Sequence, residues 1–272
     1  MAYTASFGYQ WNIHAKTQLD SYSGLTISRD RLFATTGWPE QMTGVRIMEA
    51  GSGAGRFTEV LLLTGADVWS FDDSSAVEAN RANNGHQPNL HLFRANINDV
   101  DLPPFDKVLC LGVIQHTPDP ATTFRSLARH VRPGGELVID IYAKRLTAVL
   151  HWKYLLRPIT KRMRKETLYR MVSCAVPVLL PLAIAARRIG GRIGARLVPV
   201  VEHSHLGLTY NEHLQWSFLD TFDALSPKHD HPQTEATVRG WFKAAGFVDI
   251  DVRPGQNGIV GKGRRPATTA SA

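Results

Sequence analysis

VRIMEAGSGAGR, residues 45–56, is the stretch that decides the fold of this 272-residue chain. The apolar run VRIMEA has the character of a buried strand, and glycines at positions 51, 53 and 55 follow it at once. Alternating glycines let the backbone pass close beneath a ligand, and the helix that follows begins with free amide groups. The spacing is GxGxG with Glu49 two residues before the first glycine, unlike the GxGxxG dinucleotide fingerprint. The stretch therefore predicts a ligand-binding loop, with a plain tight turn as the alternative.

Strand and helix patterns alternate outward from this loop as far as residue 142. Phe57, Val60 and Leu61 share one face of the next helix, and Ser75 and Glu78 have the spacing of a capping box for a later one. Apolar runs predict strands at 45–50, 68–71, 90–94, 107–111 and 136–142. Alternation of this kind predicts an α/β fold in which a parallel sheet carries helices on both faces.

The alternation breaks after residue 142 and resumes near residue 234. A helix at 234–245 and strands at 247–252 and 258–261 complete the pattern. The intervening residues have the pattern of amphipathic helices, which we interpret as a cap inserted over one edge of the sheet. The predicted organisation is an N-terminal helical lid (1–44), a core (45–142), a basic helical cap insertion (143–218), the C-terminal part of the core (219–265) and a disordered tail (266–272).

The composition is that of a globular protein, with 43% hydrophobic and 20% charged residues. Two cysteines, Cys110 and Cys174, are too few for a disulfide framework or a four-ligand zinc site. The N-terminus has neither the basic start nor the apolar stretch of a secretory signal, so we expect a cytoplasmic protein. The longest apolar run, residues 171–186, is shorter than the roughly 20 residues of a spanning helix and contains two prolines.

The net charge of +7 is concentrated in one segment. Residues 144–200 hold 13 Lys or Arg and a single acid, Glu166, whereas the rest of the chain is mildly acidic. The same segment has apolar helix faces, which suit a membrane surface or a lipid-bearing substrate. The alternative is a solvated basic face over a hydrophobic substrate lid or a homodimer interface.

Polar residues follow the second and third predicted strands where those strands end. Asp72 is placed to accept both ribose hydroxyls of a nucleoside, and Asn96 with Ile97 is placed to meet an adenine edge and face. The successive stretches EAGSGAGR, SFDDSS, RANIND, FDKVLCLGVIQHTPDP and RPGGELVIDIY resemble the motifs of class I S-adenosylmethionine-dependent methyltransferases. The resemblance implies a Rossmann-like, mostly parallel sheet of seven strands with the last one antiparallel, and S-adenosyl-L-methionine as the cofactor.

The resemblance also implies which residues hold the cofactor. Asn96 departs from the family pattern, which more often has Asp at that position. For Ile97 and Leu111, the alternative to contact with the cofactor is a place in the hydrophobic core. The N-terminal stretch FGYQWN resembles a segment that folds over the cofactor in many small-molecule members, and an N-terminal helix anchored by its aromatic residues is the alternative. The implied cofactor-binding residues are Glu49, Gly51, Ser52, Gly53, Gly55, Asp72, Asp73, Asn96, Ile97, Leu111 and Gly112, with Tyr9 and Trp11 from the N-terminal stretch.

Methyl transfer to a hydroxyl group needs alignment of the reactants and a base that takes the proton. His116, just past the fourth strand, is the predicted catalytic base, and a structural histidine that closes its loop is the alternative. His203, His205 and Tyr210 are the predicted substrate-binding residues. No metal is predicted, although carboxylates and imidazoles between residues 220 and 231 leave an Asp/His site as an alternative to a polar loop.

The predicted function is O-methylation of a small molecule or glycan in a secondary-metabolite or polysaccharide pathway. N- or C-methylation and a cofactor-binding scaffold without catalysis stay open. Enzymes that methylate amino groups of DNA carry an acidic residue, Asn or Ser before a Pro-Pro-aromatic stretch that follows the fourth strand. In this chain the Pro-Pro-aromatic stretch, residues 102–105, begins with Leu and precedes the fourth strand. Nucleic acid is therefore not a predicted partner. Cys110 lies inside an apolar strand, where it cannot act as the nucleophile of a cytosine-modifying enzyme.

Overall fold

The structure, a computed structural model, describes residues 4–144 and 151–267. Within these residues a seven-stranded sheet has the strand order β3-β2-β1-β4-β5-β7-β6. The strands are β1 (Arg46–Ala50), β2 (Asp67–Asp72), β3 (Leu90–Arg94), β4 (Phe105–Leu111), β5 (Val131–Ile141), β6 (Val248–Gly255) and β7 (Gly258–Arg264). β1 to β5 pair in parallel, whereas β7 runs antiparallel to both β5 and β6. The predicted Rossmann-like sheet with an antiparallel last strand is confirmed.

Ten α-helices surround the sheet or extend from it in the described ranges. They are α1 (Ala5–Ile13), α2 (Asp20–Ser23), α3 (Ile27–Thr36), α4 (Arg56–Leu63), α5 (Ala76–Asn84), α6 (Pro120–Arg129), α7 (Trp152–Thr160), α8 (Lys165–Ala195), α9 (Tyr210–Leu225) and α10 (Glu235–Ala244). The predicted capping box of α5 is wrong, because the Ser75 side chain makes no capping hydrogen bond. The Ser75 hydroxyl instead accepts from Asn12 Nδ2 at 3.0 Å and ties α1 to this helix.

Two buried apolar clusters, one on each face of the sheet, hold the core together. Phe71, Phe124 and Phe242 belong to one cluster, and Leu32 and Phe57 belong to the other. Burial on both faces explains why the strands are nearly continuous apolar runs rather than alternating ones.

A third cluster joins α7, α8 and α9. Val176 and Leu180 from α8 pack with Phe222 from α9, and all three are buried. The boundary predicted at residue 218 falls inside α9, which continues to Leu225, so it does not mark the end of the helical segment. Thr209 and Glu212 form a reciprocal capping box that fixes where α9 begins. The predicted tail lies largely outside the described residues.

The apolar run near residues 171–186 belongs to a longer helix than the sequence predicts. α8 has 31 residues and passes through Pro177 and Pro181 before a non-helical Gly191. The 27 residues Lys165–Gly191 are long and apolar enough to cross a membrane by length and composition, because an 18-residue window within them has a mean hydropathy of 1.8. The apolar run itself keeps the length given by the sequence, and the helix passes the length test because it extends beyond the run at both ends.

Candidate active site

A cavity of about 830 Å³ opens at the carboxyl ends of the parallel strands. This edge is where open parallel sheets bind their ligands. One end of the cavity is lined by the loop between β1 and α4 and by residues after β2, β3 and β4. The other end is lined by residues of α7, α8, α9 and the chain between α8 and α9. The sheet and the inserted helices therefore enclose one continuous space.

The glycine loop has the conformation that only glycine adopts readily. Gly53 has a φ of +54°, and a Cβ there would lie 3.3 Å from the indole ring of Trp11. Gly55 has a φ of +90°, and a Cβ there would lie 2.2 Å from Asn80 Oδ1. The loop can therefore approach both α1 and α5 closely only because these two side chains are absent.

Ser52 carries an unmet hydrogen-bonding group at this loop. The residue lines the cavity, and its buried Oγ has no hydrogen-bond partner in the protein. A buried hydroxyl without a partner costs free energy unless a ligand or water supplies one. The loop thus offers a polar contact to a bound molecule.

Asp72 ties the end of β2 to the glycine loop. Its Oδ2 accepts from the backbone N–H of Gly53 at 3.0 Å, and its Oδ1 accepts from Ser74 N at 2.8 Å and Ser74 Oγ at 2.6 Å. Burial raises the pKa of Asp72 above its ordinary value. Asp72 and Asp73 both line the cavity, and carboxylate oxygens with spare lone pairs can still accept from ribose hydroxyls.

Glu49 lies beneath the loop and is not among the cavity-lining residues. Its Oε2 accepts from Thr58 Oγ1 and from Ser70 Oγ at 2.7 Å, so the carboxylate faces α4 and β2. Burial raises the pKa of Glu49 to about 7. The structure therefore places Glu49 as a support of the loop, whereas the family resemblance implied a cofactor-binding residue.

The residues after β3 and β4 divide into two groups. Ile97, Leu111 and Gly112 line the cavity. Asn96 does not, because its Oδ1 accepts from the backbone N–H of Asn98 at 2.8 Å and closes a local turn. The backbone N–H of Gly112 donates to Asp140 Oδ1, which holds the loop after β4 in place.

The two aromatic residues predicted to cover the cofactor lie on different sides of α1. Trp11 lines the cavity against Gly53, whereas the ring of Tyr9 packs 5.7 Å from Tyr169 and 6.1 Å from Phe222, in the helical cluster. Residues two apart on a helix do not share a face. Phe7, Gln10 and Trp11 have the i, i+3, i+4 spacing of one face and all line the cavity, so this spacing was the signal that could have found Phe7 and Gln10.

His116 is buried at the wall between the two ends of the cavity. Its Nδ1 lies 3.1 Å from the carbonyl oxygen of His229, so Nδ1 carries the donated proton and Nε2 is left as an acceptor. Burial lowers the pKa of His116 below its ordinary value, which favours the neutral ring. A neutral imidazole with an acceptor nitrogen can take a proton.

Two side chains that surround His116 were not singled out by sequence reasoning. The ring of Tyr142 packs edge-on at 5.3 Å from the imidazole, and Lys153 lies 4.5 Å above the Tyr142 ring while its Nζ pairs with Asp230 at 2.8 Å. Asp223, one of the carboxylates between residues 220 and 231, lies on α9 and accepts from Tyr142 Oη at 3.5 Å. Burial raises the pKa of Asp223, and the nearby His116 opposes that rise.

The three predicted substrate-binding residues are not brought together. His203 and His205 line the cavity, and His203 Nε2 lies 2.8 Å from Asp220 Oδ2. Tyr210 is 53% exposed on the first turn of α9 and is not among the lining residues.

Two arginines that sequence reasoning missed line the same space. Arg56 donates to Gln18 Oε1 at 2.6 Å, and burial together with the nearby Arg31 lowers its pKa to about 9. Arg31 pairs with Asp140 at 2.7 Å, while its buried Nε has no partner. Arg56 directly follows the last loop glycine, which was the available signal. These two cations can hold a carboxylate.

The part of the chain that the structure describes contains no group of three or more His, Cys, Asp or Glu residues placed to hold a metal ion. Cys110 is buried in β4 and Cys174 is exposed on α8.

Comparison with known proteins agrees with this geometry. Residues 48–139 match the family model of the methyltransferase domain. The chain is 31% identical over 129 residues to the ubiquinone biosynthesis O-methyltransferase of Alkalilimnicola ehrlichii. The alignment covers 44% of this chain and 52% of that protein. The protein of the same name from Pseudomonas putida F1 is 26% identical over 129 residues, covering 44% and 56%. The chain thus matches about half the length of these curated relatives.

Solved structures share the fold. A complex of the Haloferax volcanii Trm112 methyltransferase activator with a protein described as a methyltransferase aligns with a TM-score of 0.52 at 12% identity, covering 96% of this chain and 98% of that one. An O-methyltransferase family protein from Burkholderia thailandensis aligns with a TM-score of 0.51 at 12% identity, covering 92% and 60%. At these identities the likeness concerns the fold alone.

Proposed function

We propose that this chain, which belongs to the class I S-adenosylmethionine-dependent methyltransferases, methylates an oxygen atom of a small molecule. One observation carries the proposal. A single cavity joins the glycine loop and Asp72 at one end to the neutral, buried His116 at its wall. Cofactor-binding groups and a proton acceptor thus face the same space.

The cofactor half of the cavity fits S-adenosylmethionine. When bound, this cofactor supplies a methyl group on a positively charged sulfur. Asp72 would accept from the ribose hydroxyls, Ile97 would pack on the adenine, and the unpartnered Ser52 Oγ would contact the methionine end. Arg31 and Arg56 would hold the methionine carboxylate. Trp11 covers the loop and excludes water from this half.

The acceptor half is built around His116. Its Nε2 would accept the proton of the acceptor hydroxyl as that oxygen gains the methyl group. The His229 carbonyl fixes the ring through Nδ1, and the carboxylate of Asp223 would stabilise the imidazolium that results. Tyr142 and Phe7 pack against the ring and restrict its orientation, with ring centroids at 5.3 and 5.2 Å.

The acceptor belongs, in this proposal, to the small molecules or glycans of a biosynthetic pathway. The relatives named ubiquinone biosynthesis O-methyltransferases support oxygen as the methylated atom. N-methylation of an already neutral amine needs no base, and it would leave His116 without a chemical role. C-methylation also stays open, and there the carbon that gains the methyl group has a proton to lose. We also propose a cytoplasmic location and contact of the basic segment with a membrane surface, and these two proposals are compatible with each other. A homodimer formed through that segment is the alternative to membrane contact.

Turnover tests the proposal. The purified chain is incubated with S-adenosylmethionine and a panel of phenols, catechols and sugars, and S-adenosylhomocysteine is measured with the mass of the methylated product. The expected result is oxygen methylation that requires His116. A chain that binds the cofactor yet methylates no acceptor in the panel would favour the scaffold alternative. A product methylated on nitrogen or carbon would contradict the assignment of the acceptor atom.

A further inference from the structure

The outer face of α8 is an apolar stripe that no part of the described protein covers. Met171, Val178, Leu182 and Ile189 follow helical spacing along it and are 54%, 67%, 56% and 91% exposed. No charged residue occurs from Met171 to Ala186. A contiguous apolar surface of this kind on a soluble domain marks an interaction site.

Cations flank the stripe at both ends. Arg164 and Arg170 are exposed before its first residue, and Arg188 is exposed beside its last residue, Ile189. An apolar helix face bounded by arginines has the character of helices that lie in the membrane interface. We infer that this outer face of α8 docks the protein peripherally on an anionic lipid bilayer.

The opposite face of α8 shows why the helix lies on a membrane and does not span it. Leu168, Val172, Val176, Leu180 and Ala183 are buried against the rest of the helical cluster. A spanning helix would have to leave that cluster and expose Phe222 and the other residues it covers. The packed helix can only place its outer side chains into the boundary between headgroups and acyl chains.

Charge decides between a membrane and a second copy of the chain. The exposed arginines around the stripe, Arg164, Arg170 and Arg188, are all positive, and Glu166 is the single acid of segment 144–200, so two such faces would repel each other. An anionic lipid surface attracts them, and each Lys or Arg near the surface adds to the attraction. The cytoplasmic leaflet is the anionic one, so docking is compatible with a cytoplasmic protein.

Docking would bring the cavity close to the bilayer. Trp152, which packs in the same cluster as the inner face of α8, and Arg196, which directly follows α8, both line that cavity. The inference does not depend on the proposed reaction, because the surface residues that carry it take no part in binding cofactor or acceptor.

Vesicle co-sedimentation of the full chain, without cofactor or acceptor, tests the inference. The probes are vesicles of equal parts phosphatidylglycerol and phosphatidylcholine, compared with pure phosphatidylcholine. We expect binding to the anionic vesicles, with a partition coefficient at least about tenfold lower in Val178→Asp/Leu182→Asp. Raising the salt concentration should release the protein, since added salt screens the arginines. Leu63→Asp is the matched control, because Leu63 is 80% exposed on α4, outside the segment.

Circular dichroism establishes that the variants fold, and Ile189→Asp is a second variant at a position that packs little. Loss of binding in Ile189→Asp with an unchanged spectrum supports docking even if the double variant misfolds. Wild-type protein that stays in the supernatant, or variants that sediment like the wild type, would overturn the inference. So would protein that resists alkaline carbonate extraction, which indicates spanning, or a stable dimer in sedimentation velocity that the same substitutions dissociate.

Discussion

Replacing Asp72 with Asn probes how the end of β2 holds both the glycine loop and the cofactor. The carboxylate accepts from Gly53 N at 3.0 Å through Oδ2, and from Ser74 N and Ser74 Oγ at 2.8 and 2.6 Å through Oδ1. An amide of the same shape keeps one acceptor oxygen and turns an NH₂ group towards the other partner. In either orientation a donor then faces a donor, so one side of the network is lost.

The size of the effect follows from the hydrogen bonds removed. A hydrogen bond to a charged group contributes about 1.5–3 kcal/mol. Losing one such bond that the bound state requires should raise the Kd for S-adenosylhomocysteine about 10- to 150-fold. Isothermal titration calorimetry measures this change directly. Because burial raises the pKa of Asp72, its charge is unfavourable in the folded state, and the uncharged variant should melt close to the wild-type temperature.

Asp73→Asn is the matched control for this prediction. Asp73 lines the same cavity, but it accepts from the Thr4 hydroxyl at 3.3 Å and does not contact the glycine loop. Its substitution should therefore cost much less affinity. An unchanged Kd in Asp72→Asn, or an equal loss in Asp73→Asn, would refute the role assigned to Asp72.

Three further predictions concern the loop support, the base and the lid. The wild type should lose about 3 kcal/mol of unfolding free energy as the pH rises from 4.5, the pKa of Glu49 in the unfolded chain, to about 7, its pKa in the folded protein. Glu49→Gln should remove this loss, and urea unfolding of both proteins across that pH range measures it. A wild type whose stability stays flat over the range would contradict a buried, protonated Glu49. His116→Ala should lower turnover by a factor of about 100 to 10,000 and abolish the acidic limb of the pH profile of turnover, at unchanged cofactor affinity. Substitution of the exposed His86 should change neither turnover nor its pH profile. Near-normal turnover in His116→Ala would exclude His116 as the base. Trp11→Leu should raise the cofactor Kd, measured by calorimetry, with little loss of stability. Tyr9→Leu should instead cost about 1–2 kcal/mol of stability, measured by urea unfolding, at unchanged Kd. The reverse pattern would show that the two faces of α1 are misassigned.

The sheet could be predicted because its signals are local. Each strand is a short apolar run, and the glycine loop depends on residues that are neighbours in the sequence. Arg31 and Lys153 could not be predicted as site residues, since α3 and α7 bring them to the cavity through contacts over long stretches of chain. Tyr142 directly follows β5, and its contact with His116 after β4 depends on how the two strand ends meet. Tyr9 and Asn96 were misplaced for a related reason: the family motif fixes the segment but not the direction of each side chain.

The placement of α1 has a consequence for how the two halves of the cavity communicate. One face of this nine-residue helix puts Phe7 and Trp11 into the cavity, and the other puts Tyr9 against Phe222 of α9. α9 also carries Asp223, which accepts from Gln10 of α1 at 3.4 Å and from Tyr142 beside His116. A ligand that orders α1 over the glycine loop must therefore also fix α9 and the groups around the base. Because the same cluster packs the inner face of α8, a ligand that orders α1 also supports the helix whose outer face we assign to the membrane.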